Sequence, residues 1–466
     1  MTIQDAQFAK GDTLTVTVDT LATGGKALTR LNGLVIFIDR GLPGQTVEIT
    51  ITKKKKRFAE AVCNRVVHET PDQIPPRCKH FGVCGGCLWQ NMPYDAQLDW
   101  KKRFVSDSLN RIAGAQDIEI HNTLPSPDTY FYRNKMEFAF GENTDGITVG
   151  LRRYGSHEVV DLQECFLQTE RTVQLIDIIR RFVNSIPALS AYNANSRRGY
   201  LRFLVIRETR HTNQCMVQLI TARDTTNDEQ LDNAMRQLGQ MLQEKEGVTA
   251  FVHSRRTHTA QIAYGEKSLS VLGQETLTEV LNFENDLQPI TLTMHSSGFF
   301  QVNTDATARL YGTAIDLAEL TGTETVWDVY CGVGGIGLAA SRKSKEVFGV
   351  EITPQAVKSA QENATINNID NARFVSGDAL EILTEEQSTP DVVFTDPPRA
   401  GMTSELVDLL INRAPERIIY ISCDPATQAR DVGLLSSHYT VSSVQPVDLF
   451  PQTAHIENII RLNKIK

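Results

Sequence analysis

The sequence predicts a multi-domain α/β protein: a small β-barrel, an α+β centre and a doubly wound parallel sheet, in that order. Three observations carry this expectation. Residues 11–68 alternate polar and apolar between glycine-containing turns, residues 125–285 mix strand-like with amphipathic helical stretches, and from about residue 321 strand, turn and helix repeat. With 466 residues and 41% hydrophobic content, the chain can bury several cores. The opening MTIQDAQFAK lacks a basic start followed by an apolar run, and no stretch approaches the roughly 18 uninterrupted apolar residues of a membrane helix. A soluble, cytoplasmic protein without a membrane partner is expected.

In the first part, TLTVTVDTL, LVIFIDRGLPGQTVEITI and FAEAVCNRVVH supply five or so strands, broken by Gly24-Gly25 and Leu42-Pro43-Gly44. Net charge of −9 argues against a surface that grips nucleic acid everywhere, yet the first 70 residues hold ten Lys or Arg against seven Asp or Glu. The run Lys53-Lys54-Lys55-Lys56-Arg57 ends the alternating strand from Thr46 and reads as a solvated loop or as charge for a phosphate backbone. Pro71, Pro75 and Pro76 follow, and then CKHFGVCGGC puts three cysteines into ten positions, 78 to 87. A reducing compartment disfavours a disulfide there. Cys78, Cys84 and Cys87 lack the paired Cys-x2-Cys knuckles of a zinc ribbon; His80 and His68 could complete a zinc site, and a fourth thiolate an iron–sulfur cluster.

Residues 96–114 have helical spacing. Beyond them FYRNKMEFAFG, GITVGLRRYG and YLRFLVIRET read as antiparallel strands, with TVQLIDIIRRFVNSI and DEQLDNAMRQLGQMLQ as helices. The last part repeats TVWDVY, VFGVEI, RFVSGDA, DVVFTDPP and RIIYISCDP as strands of the doubly wound sheet. Its glycine turn, from Asp328 to Gly337, lets the backbone approach a ligand at a helix amino terminus, and Glu351, about twenty residues on, suits a ribose. A dinucleotide oxidoreductase would fit equally well.

The fourth strand separates these readings. Asp396-Pro397-Pro398-Arg399 stands at the carboxyl edge of the sheet, where the prolines fix the backbone and present Asp396 rigidly. That turn resembles the D/N-P-P-x turn of S-adenosylmethionine-dependent methyltransferases. Cys423 closes the fifth strand; elsewhere it would be a small buried hydrophobe, but over a ligand crevice it is a candidate nucleophile. Glu457, with His455 nearby, is a candidate general base, although alone the pair would read as a solvated carboxylate and a packing residue.

Taken together, SCDPAT and FPQTAHIE resemble the paired carboxy-terminal motifs of the RNA uracil-5-methyltransferases, as do DPPRAG (Asp396 to Gly401) and SGFFQVN (Ser297 to Asn303). The resemblance covers nearly the whole chain. It implies that Cys423 attacks uracil C6, that Glu457 takes the C5 proton, and that Gln301, Tyr330, Gly335, Glu351, Asp378 and Asp396 line the S-adenosylmethionine pocket, Asp396 lying between cofactor and uracil. It implies a [4Fe–4S] cluster on Cys78, Cys84, Cys87 and Cys165, structural or RNA-positioning, leaving Cys63, Cys215 and Cys331 as packing residues. The first strands resemble the TRAM domain, an OB-like RNA-binding barrel. The implied division is a TRAM barrel at 1–68, a central iron–sulfur and RNA-binding domain at 69–94 and 125–285, and a Rossmann-like class I methyltransferase domain at 95–124 and 286–466.

The implied partner is RNA, with a 23S ribosomal uridine favoured over the T-loop of tRNA, and the protein is expected to be a monomer. Residues Tyr132-Arg133-Asn134-Lys135 and Arg197 to Arg207 are expected to meet single-stranded RNA. Two residues depart from the family pattern. Asp424 stands where the family usually has Asn, and an extra carboxylate should disfavour the Cys423 thiolate; Gly335 stands where some members have Asn. An iron–sulfur nicotinamide oxidoreductase would leave Asp396-Pro397-Pro398 and Cys423 unexplained, whereas a non-catalytic RNA-binding protein would use the barrel alone.

Overall fold

The computed structural model describes residues 8–114, 118–223, 228–296 and 298–465, and its strands form sheets of six, seven, two and seven. The first sheet is the barrel: Thr13–Thr17, Thr20–Leu21, Ala27–Leu31, Leu34–Ile38, Thr46–Lys54 and Phe58–His68, one strand more than the sequence predicts. Alternation drives it, since Val47, Ile49 and Ile51 point inward with at most 1% exposure while their neighbours face solvent. Its core does not close on itself. Trp89, Met92, Phe104 and Ala454, from distant parts of the chain, complete it.

The helix Tyr94–Ser108 runs on as a π-helical turn, Leu109–Ala113, which ends at Gly114 with φ 66°. Both pack on the last sheet's side, against the helix Pro425–Leu435. The central sheet has the order Lys267–Gly273, Ala250–Arg255, Cys215–Thr221, Leu201–Glu208, Lys135–Asn143, Gly146–Arg152, Val159–Asp161. Glu170–Asn184 and Asp228–Glu246 bury Leu175, Ile176, Ile179, Leu231, Met235 and Leu238 in its core. The three strands expected to be antiparallel are so, Lys135–Asn143 pairing with both Leu201–Glu208 and Gly146–Arg152, whereas Cys215–Thr221 and Ala250–Arg255 are parallel, because Asp228–Glu246 carries the chain back across. The hairpin Thr276–Leu281 with Ile290–His295 spans the expected domain boundary at 285/286 and joins Met216 and Val252 to Leu338 and Val357 in one core.

The last sheet has the order Ala372–Ser376, Glu346–Glu351, Thr325–Val329, Val392–Thr395, Arg417–Ser422, Glu457–Lys464, Tyr439–Val447. Its first five strands are parallel, and every residue of Thr325–Val329 is buried, as both faces are covered. Strand order reverses between Thr325–Val329 and Val392–Thr395, and ligands of such sheets bind outside the carboxyl ends at that point. The final two strands are antiparallel, an addition to the predicted parallel repeat. The hairpin they form brings residues 448–457 back towards the same edge. Among the described residues no helix is long and apolar enough to cross a membrane.

Candidate active site

The crevice begins where Thr325–Val329 runs out. Tyr330, Gly332 and Gly334 have φ of 68°, 53° and 89°, a left-handed turn that favours glycine and marks Tyr330 as strained. The N–H groups of Tyr330 and Cys331 donate to Val350 O at 2.9 and 3.0 Å, and that of Gly332 to Glu351 Oε2 at 3.3 Å. The Gly337 N–H donates to the buried Asp328 at 2.8 Å; a Cβ there would lie 2.7 Å from that oxygen, so glycine is what lets helix Gly335–Ser341 approach the strand. Burial, with Asp396 and Glu351 adding, pushes the Asp328 carboxyl up to about 7. Glu351 accepts from Thr353 N–H at 2.9 Å with its other oxygen, and Asp378, exposed, caps Ala379–Glu385 through the Leu380 and Glu381 N–H groups at 2.9 and 3.3 Å. Tyr330, Gly335, Glu351, Asp378 and Asp396 thus stand along one sheet edge.

Gln301 precedes the helix Thr304–Ala318 and is buried, its carbonyl accepting from Asn134 Nδ2 at 2.9 Å. Two residues beyond it, Asn303 donates to Ser126 Oγ at 3.0 Å and Leu449 O at 3.1 Å, tying this motif to the carboxy-terminal loop. Ser297, the first residue of the motif, lies outside the described residues. Tyr311 was not foreseen. It sits on the same helix with its ring against Gly335, where a Cβ would lie 2.8 Å from Cε2. Burial, reinforced by Asp396, Asp328 and Glu457, keeps its phenol neutral. No motif announces it, only a lone tyrosine among small residues.

Cys423, half-buried, follows Arg417–Ser422. Burial and then Glu457 push its thiol up to about 11, against the pull of the Arg399 guanidinium. Asp424 plays no part in this. Its carboxylate turns away to cap helix Pro425–Leu435, accepting from Ala426 and Thr427 N–H at 2.9 and 3.2 Å, which corrects the expectation that it would burden the thiol. Asp396 opens onto the crevice with its carboxyl pushed up to about 7 by burial, and Glu457, 2% exposed, is raised by burial and then by Asp396, with Arg399 opposing. Glu457 Oε2 has no hydrogen-bond partner among the described residues. Two neighbouring carboxyls with so little water hold at least one proton between them.

The DPPRAG turn is braced from Pro425–Leu435. Thr427 Oγ1 donates to Arg399 O at 3.0 Å, Arg430 Nη2 to Ala400 O at 2.9 Å, and Asp431 accepts from Met402 N–H at 2.8 Å and Tyr420 OH at 2.6 Å. His455 reaches the exposed rim; burial of its inner edge, then the cations Arg399, Lys101 and Arg133, holds it down at about 4, a neutral imidazole.

Cys78, Cys84, Cys87 and Cys165 line a single cavity with His80, Glu164 and Gln90, while His68 ends a barrel strand away from it. Among the described residues no three or more His, Cys, Asp or Glu side chains converge as the shell of one metal ion. The four thiols surround a space rather than meet at a point. Cys84 and Cys87 are pushed up to about 11 and about 12, first by burial and then by Cys165 and Cys78. Beside the cavity the Arg77 guanidinium lies 4.3 Å from the Phe166 ring and 5.1 Å from Tyr130 and Phe131.

Several residues expected to meet RNA point inward instead. Tyr132 is 5% exposed and donates to Pro451 O, Asn134 is buried, and Arg202 and Arg207 are spent on the carbonyls of His258 and Gly298 at 2.7 and 2.9 Å. Arg197 and Arg198 are exposed, and so is Phe299, at 71%. In the barrel, Lys53 pairs with Glu60 at 2.9 Å and Lys54 donates to Phe8 O at 2.6 Å, while Lys55, Lys56 and Arg57 are exposed at the hairpin tip.

A family model described as tRNA (uracil-5-)-methyltransferase matches residues 93–465, and a TRAM domain model matches residues 7–63. An uncharacterized RNA methyltransferase of Nitratidesulfovibrio vulgaris is 46% identical over 463 residues, 98% of this chain and 97% of the relative. One from Clostridium tetani is 33% identical over 462 residues, 98% and 97% of the two chains. Among solved structures, the Pyrococcus abyssi tRNA (uracil-54, C5)-methyltransferase in complex with S-adenosyl-L-homocysteine is similar with TM-score 0.75 and 25% identity, over 96% of this chain and 100% of that one. With a crevice of methyltransferase form and these matches along almost its whole length, the chain belongs to the S-adenosylmethionine-dependent RNA uracil-5-methyltransferase family.

Proposed function

We propose that this protein methylates C5 of a 23S ribosomal RNA uridine through a covalent bond between Cys423 and uracil C6, giving 5-methyluridine. The observation that carries the reading is the meeting of Cys423, Arg399, Asp396 and Glu457 at one end of the sheet. S-adenosylmethionine supplies an electrophilic methyl group when bound. Tyr330, Gly335, Glu351, Asp378 and Gln301 are suited to hold it, with Asp396 on the side of the base.

Unaided, C5 of uracil is a poor nucleophile. Addition of the Cys423 thiolate to C6 makes C5 an enolate carbon, and Arg399 is the cation beside that thiol. Once C5 carries the methyl, Glu457 in its carboxylate form accepts the C5 proton; the C5–H electrons restore the C5–C6 double bond and the C6–S bond breaks, returning the thiolate. Burial makes Glu457 a stronger base than an exposed glutamate, and its unpartnered oxygen is free for that proton.

The three-part division at 1–68, 69–94 with 125–285, and 95–124 with 286–466 belongs to this reading, as do a monomeric state and work in the cytoplasm. So does a [4Fe–4S] cluster held by Cys78, Cys84, Cys87 and Cys165, supported by four partly buried thiols around one cavity. A four-iron cube holds its thiolates farther apart than a single ion does, and none of the steps above needs an electron, so its contribution is shape. Barrel and cysteines together resemble the ribosomal branch of the family. A tRNA uridine is the second reading, favoured by the similarity to the Pyrococcus abyssi tRNA enzyme. Mapping 5-methyluridine in ribosomal and transfer RNA from cells lacking the gene decides: loss at a 23S position supports the first, loss at the T-loop the second, and no loss in either RNA contradicts both.

A further inference from the structure

The loop that delivers Glu457 is clamped by a distant part of the chain. Residues 448–456 connect Tyr439–Val447 to Glu457–Lys464, and Glu457 is the last rung of that ladder, opposite Val447. A terminal rung frays unless the loop beyond it is held. Here it is held by residues 88–101.

Lys101 and Asp448 form an ion pair with 0% exposure of either side chain, Nζ to Oδ1 2.5 Å. Lys101 also donates to Phe450 O at 3.1 Å, while Asp448 accepts from Phe450 N–H at 2.8 Å and from Tyr94 OH at 2.9 Å. Gln452 follows with φ 68°, a region glutamine avoids. Its N–H donates to Gln97 Oε1 at 2.9 Å, its side-chain oxygen accepts from Gln97 Nε2 at 3.1 Å, and its carbonyl accepts from the N–H groups of Leu88 and Trp89 at 2.9 and 3.0 Å. Gly25 of the barrel packs so closely that a Cβ would lie 2.4 Å from Ala454 Cβ.

A fully buried ion pair is a poor source of stability, because desolvating both charges offsets most of their attraction, and a left-handed glutamine costs free energy outright. What both features do supply is one fixed loop conformation. We propose that Lys101 and Gln97 are positioning residues for the proton-removal step, holding the 448–456 loop so that the Glu457 carboxyl stays beside Asp396 and Cys423 when the C5 proton leaves. This rests on the reading of Glu457 as the base. Thiolate addition and methyl transfer precede that step and do not use Glu457, so a loosened clamp should spare them.

The test compares full-length Lys101→Met and Gln97→Met with the wild type and Glu457→Gln, using labelled S-adenosylmethionine and two RNAs, one carrying uridine and one 5-fluorouridine. Fluorouridine has no C5 proton, so its adduct reports attack and methyl transfer alone. Because a misplacement of about 1 Å can cost on the order of a hundredfold, release of product from uridine RNA should slow roughly ten- to a hundredfold while fluorouridine adduct formation stays within about threefold of wild type. Methyl-labelled protein–RNA adduct should then build up on uridine RNA, as with Glu457→Gln. Lys101→Met leaves a buried carboxylate unpaired, so Lys101→Met with Asp448→Asn should recover part of its loss, and Gln97→Met, which creates no charge, tests the clamp independently. Loss of release and of fluorouridine adduct in parallel, or wild-type turnover of Gln97→Met while Glu457→Gln is blocked, overturns the positioning role alone. Wild-type release by Glu457→Gln overturns the base assignment and the clamp with it.

Discussion

At the scale of single residues, the Cys423 thiol lies between opposed charges, Arg399 favouring the thiolate and Glu457 disfavouring it. Its alkylation by iodoacetamide, followed by peptide mass spectrometry against pH, should therefore show a pKa below the wild-type value in Glu457→Gln and above it in Arg399→Ala. Equal curves in all three proteins would contradict the assignment. Gly335→Ala should weaken S-adenosylmethionine binding in calorimetry, since the new methyl meets the Tyr311 ring, and Tyr311→Leu in the same chain should restore part of it. An unweakened Gly335→Ala would mean that the ring moves aside freely. Cys423, Asp396 and Glu457 stood out as candidates because each lies at the end of a strand inside a recognisable motif. Tyr311 did not, since helical spacing alone does not say which of its faces meets a glycine beyond the next strand.

At the scale of elements, the helix Pro425–Leu435 decides what Asp424 does. An aspartate followed by proline at the start of a helix is itself a capping signature, and reading it that way would have turned the carboxylate away from the thiol. Asp424→Asn should leave the Cys423 alkylation profile unchanged, whereas Asp424→Ala should cost about 1 kcal/mol of stability in denaturant unfolding. A shifted profile in Asp424→Asn would restore the carboxylate's influence. The cysteine loop makes its own prediction: aerobically purified protein should be brown with about four irons per chain, and Cys165→Ser should bleach it as fully as Cys84→Ser. Stoichiometric zinc without iron after anaerobic purification would contradict the cluster. The antiparallel hairpin that carries Glu457 escaped the sequence because Tyr439–Val447, polar at alternate positions and interrupted by Pro446, has no parallel repeat to mark it.

For the whole molecule, the three large sheets were legible in their order and type, but the two-stranded sheet and the contacts that join the rest were not. Trp89, Phe104 and Ala454 read locally as unremarkable apolar residues, yet they close the barrel's core; the pairing of Gln97 with Gln452 spans 355 positions, beyond any local pattern. Rigid attachment of the barrel fixes the exposed Lys55 and Lys56 relative to the crevice. Charge reversal of both should weaken RNA binding and flatten its salt dependence, each lost phosphate contact removing roughly 0.7 from the logarithmic slope on single-stranded RNA, with S-adenosylmethionine binding unchanged. An unaltered slope would make the run a solvated loop. The covalent reaction path itself is tested most directly by mass spectrometry of nuclease- and protease-digested wild-type protein after reaction with S-adenosylmethionine and 5-fluorouridine-substituted 23S RNA fragments. The expected result is a peptide containing Cys423 that carries a methylated fluorouridine, absent from Cys423→Ala; an adduct on another residue, or 5-methyluridine formed from uridine RNA by Cys423→Ala, would contradict it.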